Sequence, residues 1–250
     1  MRGESSAIAT RFYARSINSK GISPVTLYII TGLVLIVLPI AFNLLFFMLG
    51  REFEYPDILR KSTDHILTKF SAGGRRLIAL WYAFAMTALL AMPMALLLGA
   101  VFDPEYPRLA DVSAIIGVLS GLMQAMGLLR WPLLVPTLAE QYTRPETTPA
   151  QRDALGIVFN AFHQYVGVVI GEHLGFLLTA AWTLLISVMM MGSSLFPGVM
   201  GAFGIVSAVA ILAGLLEPAG WKPAGAINAI GYIVWSLWLI AAGIFLIAAA

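Results

Sequence analysis

Residues 174–216 read LGFLLTAAWTLLISVMMMGSSLFPGVMGAFGIVSAVAILAGLL, 43 positions without a charged side chain. About 20 apolar residues cross roughly 30 Å of hydrocarbon as a helix, so the run is too long for one span. Gly192-Ser193-Ser194 and Pro197 are the turn signals inside it, and they divide it into two membrane helices. Strands are a poor alternative. A membrane barrel alternates apolar and polar residues over segments of about ten, whereas this run is apolar on every side. Helices satisfy their own backbone polar groups in lipid.

Working outward, the same reading gives six spans, at about 26–49, 77–101, 112–138, 166–191, 196–216 and 224–247. The expected fold is an all-α polytopic membrane helix bundle, with a tail over 1–25 and a single transmembrane domain over 26–250. Composition agrees: 60% of residues are hydrophobic and 11% charged, where soluble domains carry about a quarter charged. The first apolar run is far longer than a signal-peptide core and should stay in the membrane. The net charge of +2 is too small to imply a nucleic-acid partner. Without cysteine, disulfides, thiolate catalysis and thiolate-bound metal are excluded.

Between the first two spans, Pro56 can open a helix and Gly73-Gly74 can close one. Ile58, Leu59, Ile66, Leu67 and Phe70 fall roughly on one side of it. Segment 52–74 therefore reads either as an amphipathic helix in the membrane interface or as a loop helix packed on the bundle. Orientation follows from basic residues in the connections. With both termini outside, ten Lys and Arg lie on the cytoplasmic side against five outside. That is the expected topology, although the basic tail with Arg2, Arg11, Arg15 and Lys20 argues the other way.

Ionisable residues within apolar segments are candidates for function. Apart from Glu172, His173 and His163, nothing from Ala154 to Leu216 can carry a charge. At about 100° per residue, Gly156, Asn160, His163, Gln164, Gly167, Gly171 and Gly175 form one helical stripe. Glycines four apart allow a close helix contact, so Gly167, Gly171 and Gly175 are read as packing residues. Asn160, His163 and Gln164 would hydrogen-bond beside them. Adjacent residues do not share a face, so Glu172 and His173 cannot serve one ligand from a regular helix. His163 and His173 lie some 15 Å apart along a straight helix axis. No metal-ligand spacing is present, and no metal or cofactor is specified.

Leu174 to Met191 is 18 residues, about 27 Å of helix, which places Glu172 near one membrane boundary. Arg130-Trp131-Pro132 is a boundary grouping at the same side, since Arg snorkels and Trp prefers the interface. An Arg130–Glu172 salt bridge is one reading of the two charges. A proton-, substrate- or metal-binding role for Glu172 is the other. Met189-Met190-Met191 reads as packing rather than as a copper site, because consecutive residues fan out around a helix. Asn43, Gln124 and Asn228 are neutral polar residues suited to joining helices or lining a path.

Four strings carry a family resemblance: Phe53-Glu54-Tyr55-Pro56-Asp57-Ile58-Leu59-Arg60, Leu77-Ile78-Ala79-Leu80-Trp81-Tyr82, Gly127-Leu128-Leu129-Arg130-Trp131 and Gly171-Glu172-His173-Leu174-Gly175. Over roughly residues 50–250 the chain resembles a bacterial family of polytopic membrane proteins catalogued as a domain of unknown function. The resemblance implies six helices in a bacterial cytoplasmic membrane and supplies no catalytic residues. Two functional classes stay open. One handles a small molecule, ion or proton at the polar site on helices 3 and 4. The other is a non-enzymatic subunit or scaffold that packs through the glycine stripe. Its partners would be lipid, other membrane helices or a second copy. An intramembrane enzyme is third, since no phosphate-binding loop, nucleophile elbow or dinucleotide fingerprint occurs.

Overall fold

The computed structural model describes residues 22–250, so the expected tail lies outside them except for its last four positions. The helices are α1 (Pro24–Phe53), α2 (Thr63–Phe102), α3 (Pro107–Leu133), α4 (Val135–Thr143), α5 (Pro149–Phe162), α6 (Gly175–Gly192), α7 (Gly198–Ala213) and α8 (Ala224–Ala248). A π-helical segment, His163–Leu174, joins α5 to α6 without a break. Short 3-10 turns cover Asp57–Arg60 and Gly214–Leu216. No strand occurs among the described residues. Among the described residues, six stretches are long and apolar enough to cross a membrane: α1, α2, α3 with α4, α5 through α6, α7 with its 3-10 turn, and α8.

Local chemistry sets these boundaries. The Ser23 hydroxyl accepts from the Thr26 N–H at 3.1 Å, with Pro24 in the first helical turn. Thr148 and Gln151 form a reciprocal capping box ahead of α5, again with proline next. Pro136 lacks the N–H that would bond the Pro132 carbonyl, and its ring crowds that carbonyl; the chain breaks between α3 and α4 at Leu134. In α2, Gly74 has φ 55° and ψ −152°, a conformation almost restricted to glycine. It bends the segment 63–73 away from the membrane-spanning part of α2. The helix that contains the expected fourth span, 166–191, starts at Pro149 and runs through the π-wound segment to Gly192.

The spans form a ring. The packed pairs run α1–α2, α2–α3, α3–α6, α6–α7, α7–α8 and α8–α1. Small residues close several of these contacts. A Cβ built on Gly32 would lie 2.7 Å from the Gly243 carbonyl oxygen, drawing α1 onto α8. Neutral polar side chains tie the same pairs. Asn43 donates to Ser236 Oγ at 2.9 Å, Asn228 to the Ile211 carbonyl at 2.7 Å, and Gln124 to Thr179 Oγ1 at 2.8 Å.

Two cores fill the ring unequally. Towards the end where α1 begins and α8 ends, Leu35, Leu98, Trp182, Ile186, Trp238 and Leu239 pack into one cluster. Met189 and Met190 are fully buried there and Met191 faces outward, so the methionine run packs. Towards the opposite end, Phe53, Phe70, Trp81, Trp131 and Phe159 form a second cluster to one side. Ile58, Leu59, Ile66, Leu67 and Phe70 are all buried in it. The apolar face of segment 52–74 therefore packs on the bundle and is not available to lipid. Outward-facing Val37, Leu133, Val206 and Leu237 give the apolar belt that a bilayer requires.

Candidate functional site

The connections 54–62, 144–148 and 217–223 share one end of the ring, and a partly open cavity of about 1020 Å³ lies inside that end. This is the upper end of the size range of small-molecule sites. Its deep wall is aromatic, with Phe42, Phe46, Phe84, Phe176 and Tyr232. Nearer the connections the wall carries Arg51, Arg60, Lys61 and Arg130 against Asp57, Glu172 and Glu217, a surplus of one positive charge.

The third and fourth spans build the charged side of this cavity. They cross antiparallel with glycine meeting glycine. A Cβ on Gly127 would lie 2.6 Å from the Gly171 Cα, and one on Gly171 would lie 2.8 Å from the Gly127 Cα. One turn to either side, Gly175 faces Gln124 and Gly167 faces Arg130. A Cβ on Gly167 would come within 2.5 Å of the Arg130 guanidinium carbon. Glycine at 167 thus makes the space in which this arginine lies. Gly167, Gly171 and Gly175 face α3 of the same chain.

Arg130 is 8% exposed. It donates to the Gly127 carbonyl, lies 3.4 Å from His163 Nδ1, and sits 5.0 Å from the Trp131 ring centre. Its Nε has no partner among the described residues. His163 is buried, stacked on Phe159 with ring centres 5.5 Å apart, so it braces the arginine from behind.

Glu172 does not form the expected ion pair with Arg130. Its carboxylate lies 3.8 Å from Arg60, which also holds Glu217 through two bonds of 2.5 and 3.0 Å. Gly167, not Glu172, lies against Arg130, and Glu172, adjacent to Gly171 and so on a different face, turns its carboxylate to Arg60 of the 54–62 connection. Desolvation pulls the Arg60 guanidinium down, but Glu172 and Glu217 beside it outweigh this and raise it above the usual arginine range. One arginine therefore bridges three elements across the charged end of the cavity.

The remaining candidates disperse. His173 and Gln164 are exposed on the outer surface of the fourth span. Asn160 accepts a hydrogen bond from Thr63 at 3.0 Å. His65 lies 3.3 Å from Glu54 and joins no other histidine. Among the described residues, no three His, Asp or Glu side chains are placed to share a metal ion. Sequence reasoning missed Arg60, Glu217 and the aromatic wall. Glu217 had one signal, as the charge that ends the 43-residue run.

Beside the site, Glu54 ends α1 in the left-handed conformation and pairs with Lys69 and His65. The Lys69 hydrogen bond holds its carboxyl below the usual carboxylate range, with burial opposing and His65 assisting. A depressed folded-state value gives stability that is present above the unfolded value and lost as pH falls through the folded one. Glu54→Gln should therefore lower Tm at neutral pH and flatten its fall below about pH 4.5, the two proteins converging in acid. An acid limb as steep as that of the wild type would exclude this origin.

Fold and site together define a polytopic membrane protein, a six-span helical bundle with a polar cavity at one end. The chain belongs to the family described as domain of unknown function (DUF4386), whose model matches residues 30–243. No curated protein and no solved structure matches it.

Proposed function

We propose that the protein binds a small molecule in this cavity, at the polar surface formed by Arg130 on α3 and Glu172 on the π-wound turn. The observation that carries the reading is the cavity itself, which brings a buried arginine and a carboxylate beside an aromatic wall. Pockets of this size and mixed character are the usual form of ligand sites, including those between bundle helices. The subunit or scaffold reading is less well supported, because α3 already covers the glycine face it would need. Binding is the first step of transport, and the bundle end that holds the cavity carries Arg51, Arg60, Lys61, Arg144 and Lys222. By the charge rule this is the cytoplasmic side. With both termini outside, in a bacterial cytoplasmic membrane, the cavity would open inward.

Ala229 lines the cavity from α8 and is otherwise exposed, so Ala229→Phe should fill space without disturbing the packed core. Gently purified wild-type protein should release a small molecule, detected by mass and elemental analysis. Ala229→Phe should retain at least about tenfold less, since its ring takes the volume the ligand needs. Glu172→Gln should fold and change retention, since it alters the charge of the cavity wall. Equal retention by all three proteins would refute the proposal.

A further inference from the structure

The geometry points to an amphipathic ligand with an anionic head, held at its head by Arg130 and along its apolar body by the aromatic wall. This inference rests on the binding role proposed above and names its ligand class.

Three observations converge on it. First, Arg130 is buried to 8% exposure and its only hydrogen-bond partners among the described residues are neutral, a backbone carbonyl and the His163 ring. No carboxylate oxygen of those residues lies within ion-pair distance of it. A buried charge without a counter-charge is costly, and its Nε lacks even a neutral partner. An anionic ligand group in the cavity would supply the missing counter-charge. Second, the carboxylates nearby are engaged elsewhere. Arg60 holds Glu217 at 2.5 Å and draws Glu172 at 3.8 Å. Third, the cavity wall carries four cationic side chains against three acidic ones, so one anionic head brings it to neutrality. Deeper in, the partly buried Phe42, Phe46 and Tyr232 line the cavity with rings that carry no charge.

Two sources share this chemistry, a free long-chain carboxylate and an anionic phospholipid. Guanidinium binds carboxylate and phosphate alike through paired N–H donors. The ligand class is therefore set by head charge and apolar body, not by the particular acid.

The test is thermal unfolding of the whole protein in a neutral maltoside detergent. The probes are dodecanoate, dioctanoyl phosphatidylglycerol, dodecylammonium, dioctanoyl phosphatidylcholine and dodecanol. At about 100 times its Kd, a bound anion should raise Tm by roughly 5 °C or more. The cationic, zwitterionic and neutral probes should raise it far less. The larger response between dodecanoate and phosphatidylglycerol identifies the source, and either one supports the inference. Arg130→Gln should weaken the anion response about tenfold or more, and Arg130→Lys should keep part of it. A purely structural Arg130 would lower Tm on substitution while leaving the anion response intact, which would overturn the inference. If Arg130→Gln does not fold, Ala229→Phe decides instead by abolishing the anion response in a protein whose arginine is untouched. Equal responses to dodecanol and dodecanoate would overturn the anionic head while leaving small-molecule binding in place. No response to any probe, with wild type and Ala229→Phe behaving alike, would remove both.

Discussion

Gly171→Leu should fail to accumulate as folded protein, and Gly127→Val should behave in the same way. The two glycines meet through their Cα atoms, and a Cβ on either would stand 2.6–2.8 Å from the backbone of the other helix. Nothing at the end of a flexible side chain can move aside. The third and fourth spans would have to separate along their length, which would also part Ser120 from Thr179, now 2.7 Å apart, and Arg130 from the space over Gly167. Overpacking costs about 1–3 kcal/mol where side chains can adjust and more where they cannot. Each substitution should therefore cost about 3 kcal/mol or more. The measurement is Tm in detergent with yield of monodisperse protein. Gly198→Ala is the matched control, because no atom lies within 4 Å of its added Cβ, and it should leave Tm nearly unchanged. Combining Gly127→Ala with Gly171→Ala should cost less than the sum of the two, since both act on one contact. Gly171→Leu with near-normal Tm would mean that these helices do not approach as described.

The spans were legible because the bilayer imposes a length. A stretch of some 20 apolar residues has few alternatives, so six could be placed from hydropathy and turn residues. Helix ends were less legible, since a helix that leaves the membrane keeps its winding where caps permit, as Thr148 and Pro149 do ahead of the fourth span. The π-wound turn had no signature, because its residues are mostly apolar and every facing they adopt is compatible with lipid or core. Arg130 and Glu172 could be singled out as charges in apolar surroundings, but a partner depends on which connection folds over which helix. Arg60 and Glu217 are 157 positions apart and meet only after the ring closes. The aromatic wall was hidden for the same reason. Phe42, Phe84 and Tyr232 sit in helices that are apolar all round, where a cavity-facing ring and a lipid-facing ring read alike.

Trp131→Ala should be the most damaging substitution outside the glycine contact. Trp131 is 1% exposed and stands at the centre of the second core. It stacks on Trp81 with centres 4.8 Å apart and an angle of 14°, meets Phe53 edge-on at 5.3 Å, and stacks on Phe70 at 5.9 Å. Between membrane helices the transfer of apolar surface from water contributes little, and packing carries the contact. The loss is then the dispersion contacts of a whole indole and the void it leaves, both of which persist in a rigid ring of helices. Large-to-small core changes of this kind cost about 3–5 kcal/mol, or roughly 10 °C in Tm for a chain of this size. Trp131→Phe should recover most of that. The Trp81–Trp131 stack should give a coupling of about 1 kcal/mol in a double-mutant cycle. Trp221→Ala, at a tryptophan 43% exposed in the connection before α8, is the control and should move Tm little. The effect should also reach the cavity, because the Arg130 guanidinium lies 5.0 Å from the indole and the His163 ring meets it edge-on at 6.3 Å. Without the indole, the arginine loses the surface that fixes its direction, so anion binding should weaken in whatever fraction of Trp131→Ala still folds. A variant that unfolds within about 1 °C of the wild type, with the Trp81 coupling absent, would show that this aromatic cluster does not hold the charged end of the bundle together.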